Sequence, residues 1–322
     1  MEVGVKVEAE SPLTGERYFV AHAYLTFVAL SPRPSPRTYL GRKLIEHHPI
    51  RVPEIVPYSD MDKRRFHNAE ERRRARFARK QPNNEPIQKL MQEWARGYQR
   101  QTTADAPIRP HPALNALQHE EGDDEEDQEK VREIFQRKGR RFSRDPRMSL
   151  QPQEKRISST FAEVVELVMP QHANTLRITF GGQIMAWMEA CAMASANRLV
   201  RGYLLTASID SLNFISSSNV GDVITIRSCV SRSYNSSMEV YVTVEAENLQ
   251  TGETKFTNDG FFTIAAVDEE LLPVMVPRAI PESEAEVKLC QGSHERRTAR
   301  LVQRAELMNM NLTYNLNSVA VR

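Results

Sequence analysis

The sequence predicts an α+β fold, an antiparallel sheet wrapped around a central helix, in two tandem copies of which the first is incomplete. Three observations lead to this prediction: an internal repeat, a helix that is apolar around most of its circumference, and the order of elements in the second copy. Residues 1–30 recur without a gap at 238–267, with fourteen identities in thirty positions. The match resumes at 52–76, which recur at 276–300. The chain is therefore interpreted as a tandem duplication.

The first copy begins with two predicted strands. The apolar side chains of residues 1–9 alternate onto one face, a turn signal follows at 12–15, and residues 18–30 form the return strand. A Pro-rich loop is predicted at 31–37, and a basic helix carries residues 70–79. These elements correspond to the back half of the second copy.

The first copy has no counterpart of the region from Ser158 to Ser237. We therefore expect Met1 to fall inside a strand of a domain whose front half is missing. Two strands bury too little apolar surface to offset the entropy of ordering them. We expect these strands to extend the sheet of the second copy, to pair with another chain or to remain poorly ordered.

The second copy is complete in its pattern. Residues 161–169 are predicted as a strand, 170–180 as a loop and 181–200 as a helix. The helix has no polar face along most of its length, which is typical of a helix buried under a sheet. Four more strands are predicted at 204–215, 223–233, 238–247 and 255–267. This order of elements is that of a hotdog fold.

The repeat and the charge pattern divide the chain. The segment between the copies holds a short predicted helix at 87–98, an acidic run and a basic cluster, which are typical of a solvated linker. The predicted divisions are the first copy with its basic helix at 1–80, a partly disordered linker at 81–154, the second hotdog domain at 155–268, and a C-terminal helix and tail at 269–322.

Composition narrows the class of protein. The net charge of +1 gives no general attraction to nucleic acid or membrane. Three cysteines without CxxC spacing indicate a reducing compartment, with neither a disulfide framework nor a zinc site. We see no signal peptide and no apolar stretch of the about 20 residues that cross a bilayer. We expect a cytoplasmic protein without metal or cofactor, or a mitochondrial one if a transit peptide precedes these residues.

The segment at 172–189 reads HANTLRITFGGQIMAWME. It resembles the signature of the acyl-CoA thioesterases that carry two hotdog domains in one chain. The stretches Thr206–Asp210 and Ser236–Glu239 and the basic helix also resemble that family, over about residues 1–80 and 155–305. The resemblance implies hydrolysis of acyl-CoA by water, without a covalent intermediate or metal, in a homo-oligomer formed by hotdog pairing. Sequence signatures of serine hydrolases, zinc proteases and nucleotide-binding loops are not found.

Two glycines are the first catalytic candidates. Gly181 and Gly182 open the predicted helix, so their backbone N–H groups are free at the positive end of the helix dipole and can bind an oxyanion. The alternative is that both glycines only allow the helix to pack tightly on the sheet. By resemblance, Gly182 is catalytic, and Gly181 and Gln183 contact substrate.

Asn174 and Glu189 are the other catalytic candidates. By resemblance Asn174 orients the water or the thioester, and the alternative is an Asx-turn residue. His172 is interpreted as a loop anchor rather than a general base, because no acidic partner is evident. Glu189 lies in the middle of an apolar helix, where a carboxylate is costly to bury unless it is paired.

The resemblance qualifies the role of Glu189. In the tandem family the acid is an Asp on the helix of the first domain, and the second domain often has a Glu that contributes little. That first helix is absent from this sequence, so we expect weak thioesterase activity or none, unless a homodimer brings Asn174 of one chain towards Glu189 of the other. Arg177 is a further departure, because the family usually has glycine there.

The CoA part of the substrate needs cationic partners. Arg72, Arg73, Arg74 and Arg76 offer such a surface, although a solvated basic face is the alternative. By resemblance Arg74 contacts CoA together with two backbone segments, which are Ala207, Ser208 and Ile209, and Ser236, Ser237 and Met238. A non-catalytic hotdog protein that binds acyl-CoA or assembles with a full-length partner is the main alternative function. An enoyl-CoA hydratase and a nucleic-acid binder are less favoured.

Overall fold

The computed structural model describes residues 1–39, 42–78, 84–97, 107–114, 153–210 and 212–302, without the side chains of 32–47. The chain divides into two compact units, Met1–Pro82 and Asn83–Arg322. Each unit is described by itself below.

The first unit contains two antiparallel hairpins and one helix. Its elements are β1 Glu2–Glu10, β2 Arg17–Thr26, β3 Leu30–Tyr39, β4 Arg42–Pro49 and α1 Asp60–Ala78. β1 pairs with β2, and β3 pairs with β4, each pair as a sheet of its own. β1 and β2 therefore do not extend a larger sheet in the described part of the chain, which was one of the arrangements expected for the first copy.

The Pro-rich loop predicted at 31–37 is wrong, because these residues lie within β3. Pro32 pairs with His47 and Pro34 with Ile45 across the hairpin. Proline lacks a backbone N–H but adopts an extended backbone, so it is tolerated in edge strands. Both strands of a two-stranded sheet are edge strands, which explains why three prolines fit here.

The second unit is a hotdog fold. Five antiparallel strands form a sheet in the order β6-β8-β9-β10-β7. They are β6 Ala162–Leu167, β7 Tyr203–Ile209, β8 Asp222–Ser233, β9 Ser237–Asn248 and β10 Thr254–Val267. The sheet packs around α3, Gly181–Leu199. The predicted element order is confirmed, with one difference: β7 ends at Ile209 and not at residue 215.

The prediction that α3 is apolar and buried all round holds for most of its surface. Met188, Cys191, Ala192, Ala196 and Leu199 are fully buried against the sheet. A narrow stripe remains exposed, at Ala186, Ala190 and Asn197. Its small side chains leave little apolar area in water, which is why the composition of the helix alone did not reveal this open side.

The opposite face of the sheet carries a second apolar core. α2, Glu85–Gly97, buries Ile87, Met91 and Trp94 there. α4, Glu284–Cys290, adds Val287, Leu289 and Cys290, and a short parallel pair joins β5 Glu154–Arg156 to β11 Arg278–Ile280. Helical residues 293–302, named α5 here, complete the described chain. The sheet is therefore covered on both faces.

α2 lies inside the segment predicted as a linker. Its apolar stripe packs on the sheet, and an amide stripe beside it donates three hydrogen bonds: Asn84 to Asp259 at 2.9 Å, Gln88 to Tyr241 at 2.9 Å, and Gln92 to Glu245 at 2.7 Å. Residues 84–97 thus belong to the folded unit and are not linker. Most of the remaining predicted linker, at 98–106 and 115–152, lies outside the described residues.

Candidate functional site

The loop that leads into α3 is anchored by His172. Its ring Nδ1 accepts a hydrogen bond from the Met169 N–H at 3.2 Å, and its carbonyl accepts one from the Phe180 N–H at 2.8 Å. The ring also packs edge-to-face on Trp187, with centroids 5.0 Å apart. Because Nδ1 is occupied as an acceptor, His172 holds the loop in the way the sequence interpretation favoured.

Asn174 forms an Asx turn and also presents its amide group outward. Its side-chain Oδ1 accepts hydrogen bonds from the N–H groups of Leu176 at 2.9 Å and Ile178 at 3.3 Å. The residue is exposed, and its Nδ2 makes no hydrogen bond within the described residues. The turn fixes the amide plane, so Nδ2 is left as an oriented donor. The two readings of Asn174, turn residue and donor to a ligand, are therefore compatible.

Arg177 occupies the left-handed region of the backbone map, with φ of 59°. This region costs a residue with a side chain about 1–2 kcal/mol relative to glycine. The glycine usual at this position in the resembling family is thus explained by backbone geometry. Arg177 fits the same turn, with some strain.

We expect Arg177→Gly to raise the free energy of unfolding by about 0.5–1 kcal/mol, because relief of strain exceeds the entropy that glycine adds to the unfolded chain. Urea denaturation followed by circular dichroism measures the difference. Arg177→Ala is the matched control: it removes the same side chain but keeps the strain, so no gain is expected. An equal gain in both variants would contradict the strain argument.

The helix start has the features of an oxyanion site. Phe180 is the N-cap of α3, and its carbonyl accepts from the N–H groups of Gln183 at 2.9 Å and Ile184 at 3.2 Å. The N–H groups of Gly181 and Gly182 have no partner among the described residues. Two unengaged donors at the positive end of a 19-residue helix can stabilise a developing negative charge.

The close approach at the two glycines comes from aromatic rings and not from the sheet. A Cβ on Gly182 would lie 2.5 Å from the Phe180 ring, and a Cβ on Gly181 would lie 3.1 Å from the Phe214 ring. Both rings are largely exposed, 60% for Phe180 and 48% for Phe214. The absence of a side chain at both glycines therefore allows the rings of Phe180 and Phe214 to lie directly beside the free N–H groups. Tight packing of helix on sheet, the alternative for these glycines, is not what requires them.

Glu189 is half-buried and has one hydrogen-bond partner in the part of the chain that the structure describes. The hydroxyl of Thr206 on β7 donates to its Oε1 at 2.6 Å. This charge-assisted bond orients the carboxylate on the open side of α3. Sequence reasoning named Glu189 but missed Thr206, although it lies in one of the stretches that resemble the family. Thr206 lies 17 positions from Glu189, so their contact produces no pattern in the local sequence.

The two backbone segments assigned to CoA lie level with each other in the sheet. Thr206 and Met238 both pair with Ile264, and Ser208 and Glu239 both pair with Thr263. Ala207 and Ile209 are exposed on β7, which is an edge strand. The side chain of Met238 is fully buried, so only the backbone of that residue is available to a ligand. Ser236 and Ser237 lie at the turn into β9.

The basic helix α1 uses its arginines in two ways. Arg72 bonds Glu2 at 2.6 Å and Arg76 donates to Thr26 at 2.7 Å, so these two side chains act inside the first unit. Arg74 is 78% exposed, and within the described ranges its one ion-pair partner is Glu70, at 3.4 Å. Of the cationic set predicted for CoA, Arg74 is therefore more available to a ligand than Arg72 or Arg76.

Among the described residues, no group of His, Cys, Asp or Glu side chains could hold a metal ion. The helices in the described ranges include none with the length and apolarity needed to cross a membrane.

Part of this chain is similar to known proteins. The thioesterase superfamily matches residues 176–253. An acetyl-coenzyme A thioesterase of Mus musculus is 39% identical over 145 residues, which make up 44% of this chain and 26% of that protein. An uncharacterised acyl-CoA thioester hydrolase of Bacillus subtilis is 37% identical over 133 residues, 41% of this chain and 77% of that protein.

Among solved structures, an acyl-CoA hydrolase from Bacillus cereus is 31% identical in sequence, with a TM-score of 0.48. The match covers 50% of this chain and 98% of that one. The chain spans about a quarter of the length of the mouse relative.

Proposed function

Because the chain belongs to the acyl-CoA thioester hydrolases of the thioesterase superfamily, we propose that it hydrolyses an acyl-CoA to a free carboxylic acid and CoA. One observation carries the proposal: two unengaged backbone N–H groups open α3, and Glu189 presents an oriented carboxylate that the pairing inferred below would bring to the helix start of a second chain. Hydrolysis of a thioester needs these two elements, a site for the carbonyl oxygen and a base for water.

In the proposed reaction the thioester carbonyl oxygen accepts hydrogen bonds from the N–H groups of Gly181 and Gly182. A water molecule that accepts a hydrogen bond from Asn174 Nδ2 attacks the carbonyl carbon, and the Glu189 carboxylate of the paired chain takes one proton of that water. The tetrahedral oxyanion collapses and the C–S bond breaks. The protonated Glu189 then gives its proton to the leaving CoA sulfur, which regenerates the carboxylate. The products are one carboxylic acid and one CoA thiol, so atoms and charge balance without a metal or a covalent enzyme intermediate.

We infer that the site is completed by pairing of hotdog units in a homo-oligomer. The exposed face of the edge strand β7 is apolar: Tyr203 is 57%, Leu205 49% and Ile209 42% exposed. An exposed apolar edge strand favours pairing with another strand. In such a pair, the hotdog domain of one chain supplies Asn174, and the hotdog domain of the other chain supplies Glu189. The segments 207–209 and 236–238, which share one register in the sheet, are then proposed to contact CoA.

The test is release of CoA thiol from short and long acyl-CoAs by the full chain and by Asn174→Ala. We expect turnover by the wild type and a kcat about 10²–10³ lower in the variant, which is the usual cost of losing one donor of a reacting oxygen. Asn197→Ala is the matched control, because Asn197 is an exposed asparagine on α3 that bonds only the Met193 carbonyl in the described structure, at 3.1 Å.

The folded fraction of each variant is checked by circular dichroism, because Asn174 also closes a turn. Binding of acyl-CoA by the wild type without thiol release would contradict hydrolysis and support the non-catalytic alternative.

A further inference from the structure

A buried charge cluster joins β9 to α5 in the second unit. Glu239 is fully buried, and its carboxylate accepts hydrogen bonds from Arg296 at 3.1 and 2.7 Å and from Ser231 at 2.9 Å. The guanidinium carbon of Arg296 also lies over the Phe261 ring, 3.8 Å from its centroid. A buried bidentate ion pair that also packs on an aromatic ring holds α5 in one position on the sheet.

Arg300, one turn further along α5, extends the cluster to a third element. Its Nη1 bonds Glu239 at 3.0 Å and Asp210 at 2.5 Å. Asp210 directly follows β7. Burial raises the pKa of Asp210, and the Arg300 guanidinium beside it acts in the opposite direction. Two carboxylates and two guanidinium groups balance in charge, which makes the cluster tolerable in the interior.

The first unit repeats the core of this cluster. Glu2, Tyr24 and Arg72 occupy the repeat positions of Glu239, Phe261 and Arg296. Arg72 bonds Glu2 at 3.0 and 2.6 Å and lies 3.5 Å above the Tyr24 ring. The same three-residue arrangement, which we call the clamp, thus occurs in both copies although the rings differ.

The two copies differ in the next arginine. In the first copy Arg76 donates to the Thr26 hydroxyl at 2.7 Å. In the second copy, Arg300 donates to Asp210 instead. The hydroxyl that corresponds to that of Thr26, on Thr263, is buried and has no hydrogen-bond partner in the described structure. A buried unsatisfied hydroxyl costs free energy. The arrangement therefore indicates that the bond between Arg300 and Asp210 is favoured over the one it replaces.

The position of the cluster links it to the CoA segments. Glu239 directly follows the segment Ser236–Met238, and it lies level with Ser208 because both pair with Thr263. Asp210 directly follows Ala207–Ile209. One buried cluster therefore contacts the end of each segment and ties both to α5.

We propose that Arg300 and Asp210 are positioning residues, which hold the edge strand β7 against α5 and so keep the two backbone segments at the spacing that CoA requires. This inference rests on the proposed function. Neither side chain touches substrate in it. Their removal acts on CoA affinity and leaves the carbonyl chemistry at Gly181 and Gly182 in place.

The experiment compares KM and kcat for one acyl-CoA in the wild type, Arg300→Gln, Asp210→Asn and the double variant. We expect KM to rise at least about tenfold in each single variant, with kcat within about threefold of the wild type. The double variant should resemble Arg300→Gln, because the contact that Asp210→Asn disrupts is one of the two that Arg300→Gln removes. Arg278→Gln is the control: its ion pair with Glu154, at 3.3 Å, joins β11 to β5.

An unchanged KM in the folded Arg300→Gln and Asp210→Asn variants overturns the proposal. A merely structural role lowers the amount of active protein, which reduces the apparent kcat and leaves KM alone. Hydrogen exchange at 204–210 tests the proposal without turnover: faster exchange in Arg300→Gln supports it, and unchanged protection overturns it. Absence of hydrolysis by the wild type contradicts the proposed function instead, so the two failures are distinguishable.

Discussion

Replacement of Glu189 by glutamine is expected to lower kcat for acyl-CoA hydrolysis by about 10²–10⁴, the usual contribution of a general base. The amide keeps the size of the side chain and still accepts the hydrogen bond from Thr206, which is 2.6 Å in the native structure. It cannot take a proton from water. KM should change little, because CoA is held by other segments. Thiol release under saturating substrate measures the effect.

Two further variants show whether the loss belongs to the site. Thr206→Val removes the bond that orients the carboxylate but leaves the base, so we expect a smaller loss, about tenfold. Glu253→Gln changes an exposed carboxylate at the turn between β9 and β10 and should retain the wild-type rate. Wild-type kcat in both Glu189→Gln and Asn174→Ala would show that the site is elsewhere.

The second large effect is expected on stability. Trp94 of α2 is 8% exposed and packs edge-to-face on Phe161, with centroids 5.8 Å apart. Trp94→Ala should lower the free energy of unfolding of the second unit by about 3–5 kcal/mol, through lost burial and the cavity that remains. Urea denaturation followed by far-UV circular dichroism measures the change.

The matched control is Leu249→Ala. Leu249 is 59% exposed at the turn between β9 and β10, so its loss should change the free energy of unfolding by no more than about 0.5 kcal/mol. If Trp94→Ala were as mild as the control, α2 would not be part of the folded unit, and the linker interpretation of residues 84–97 would be correct after all.

Local sequence patterns were enough to predict the elements of the second copy. Alternation of apolar side chains and the Gly181–Gly182 helix start placed α3 and β8 to β10 within one or two residues, because local periodicity and turn residues set where an element begins and ends. The motif at 172–189 also contained the candidate site. His172 and Asn174 make their backbone hydrogen bonds with residues a few positions away, so the loop anchor and the Asx turn could be predicted from the sequence.

Other features of the fold and the site depend on tertiary contacts. The sheet contact that turns α2 from linker into core, the Thr206 partner of Glu189, and the cluster that joins Asp210, Glu239 and Arg300 all link residues far apart in sequence. Such contacts depend on strand register and on which helix covers which face. Local periodicity predicts neither the strand register nor the face that a helix covers. A half-buried helix such as α2 has the same apolar pattern whichever surface buries it.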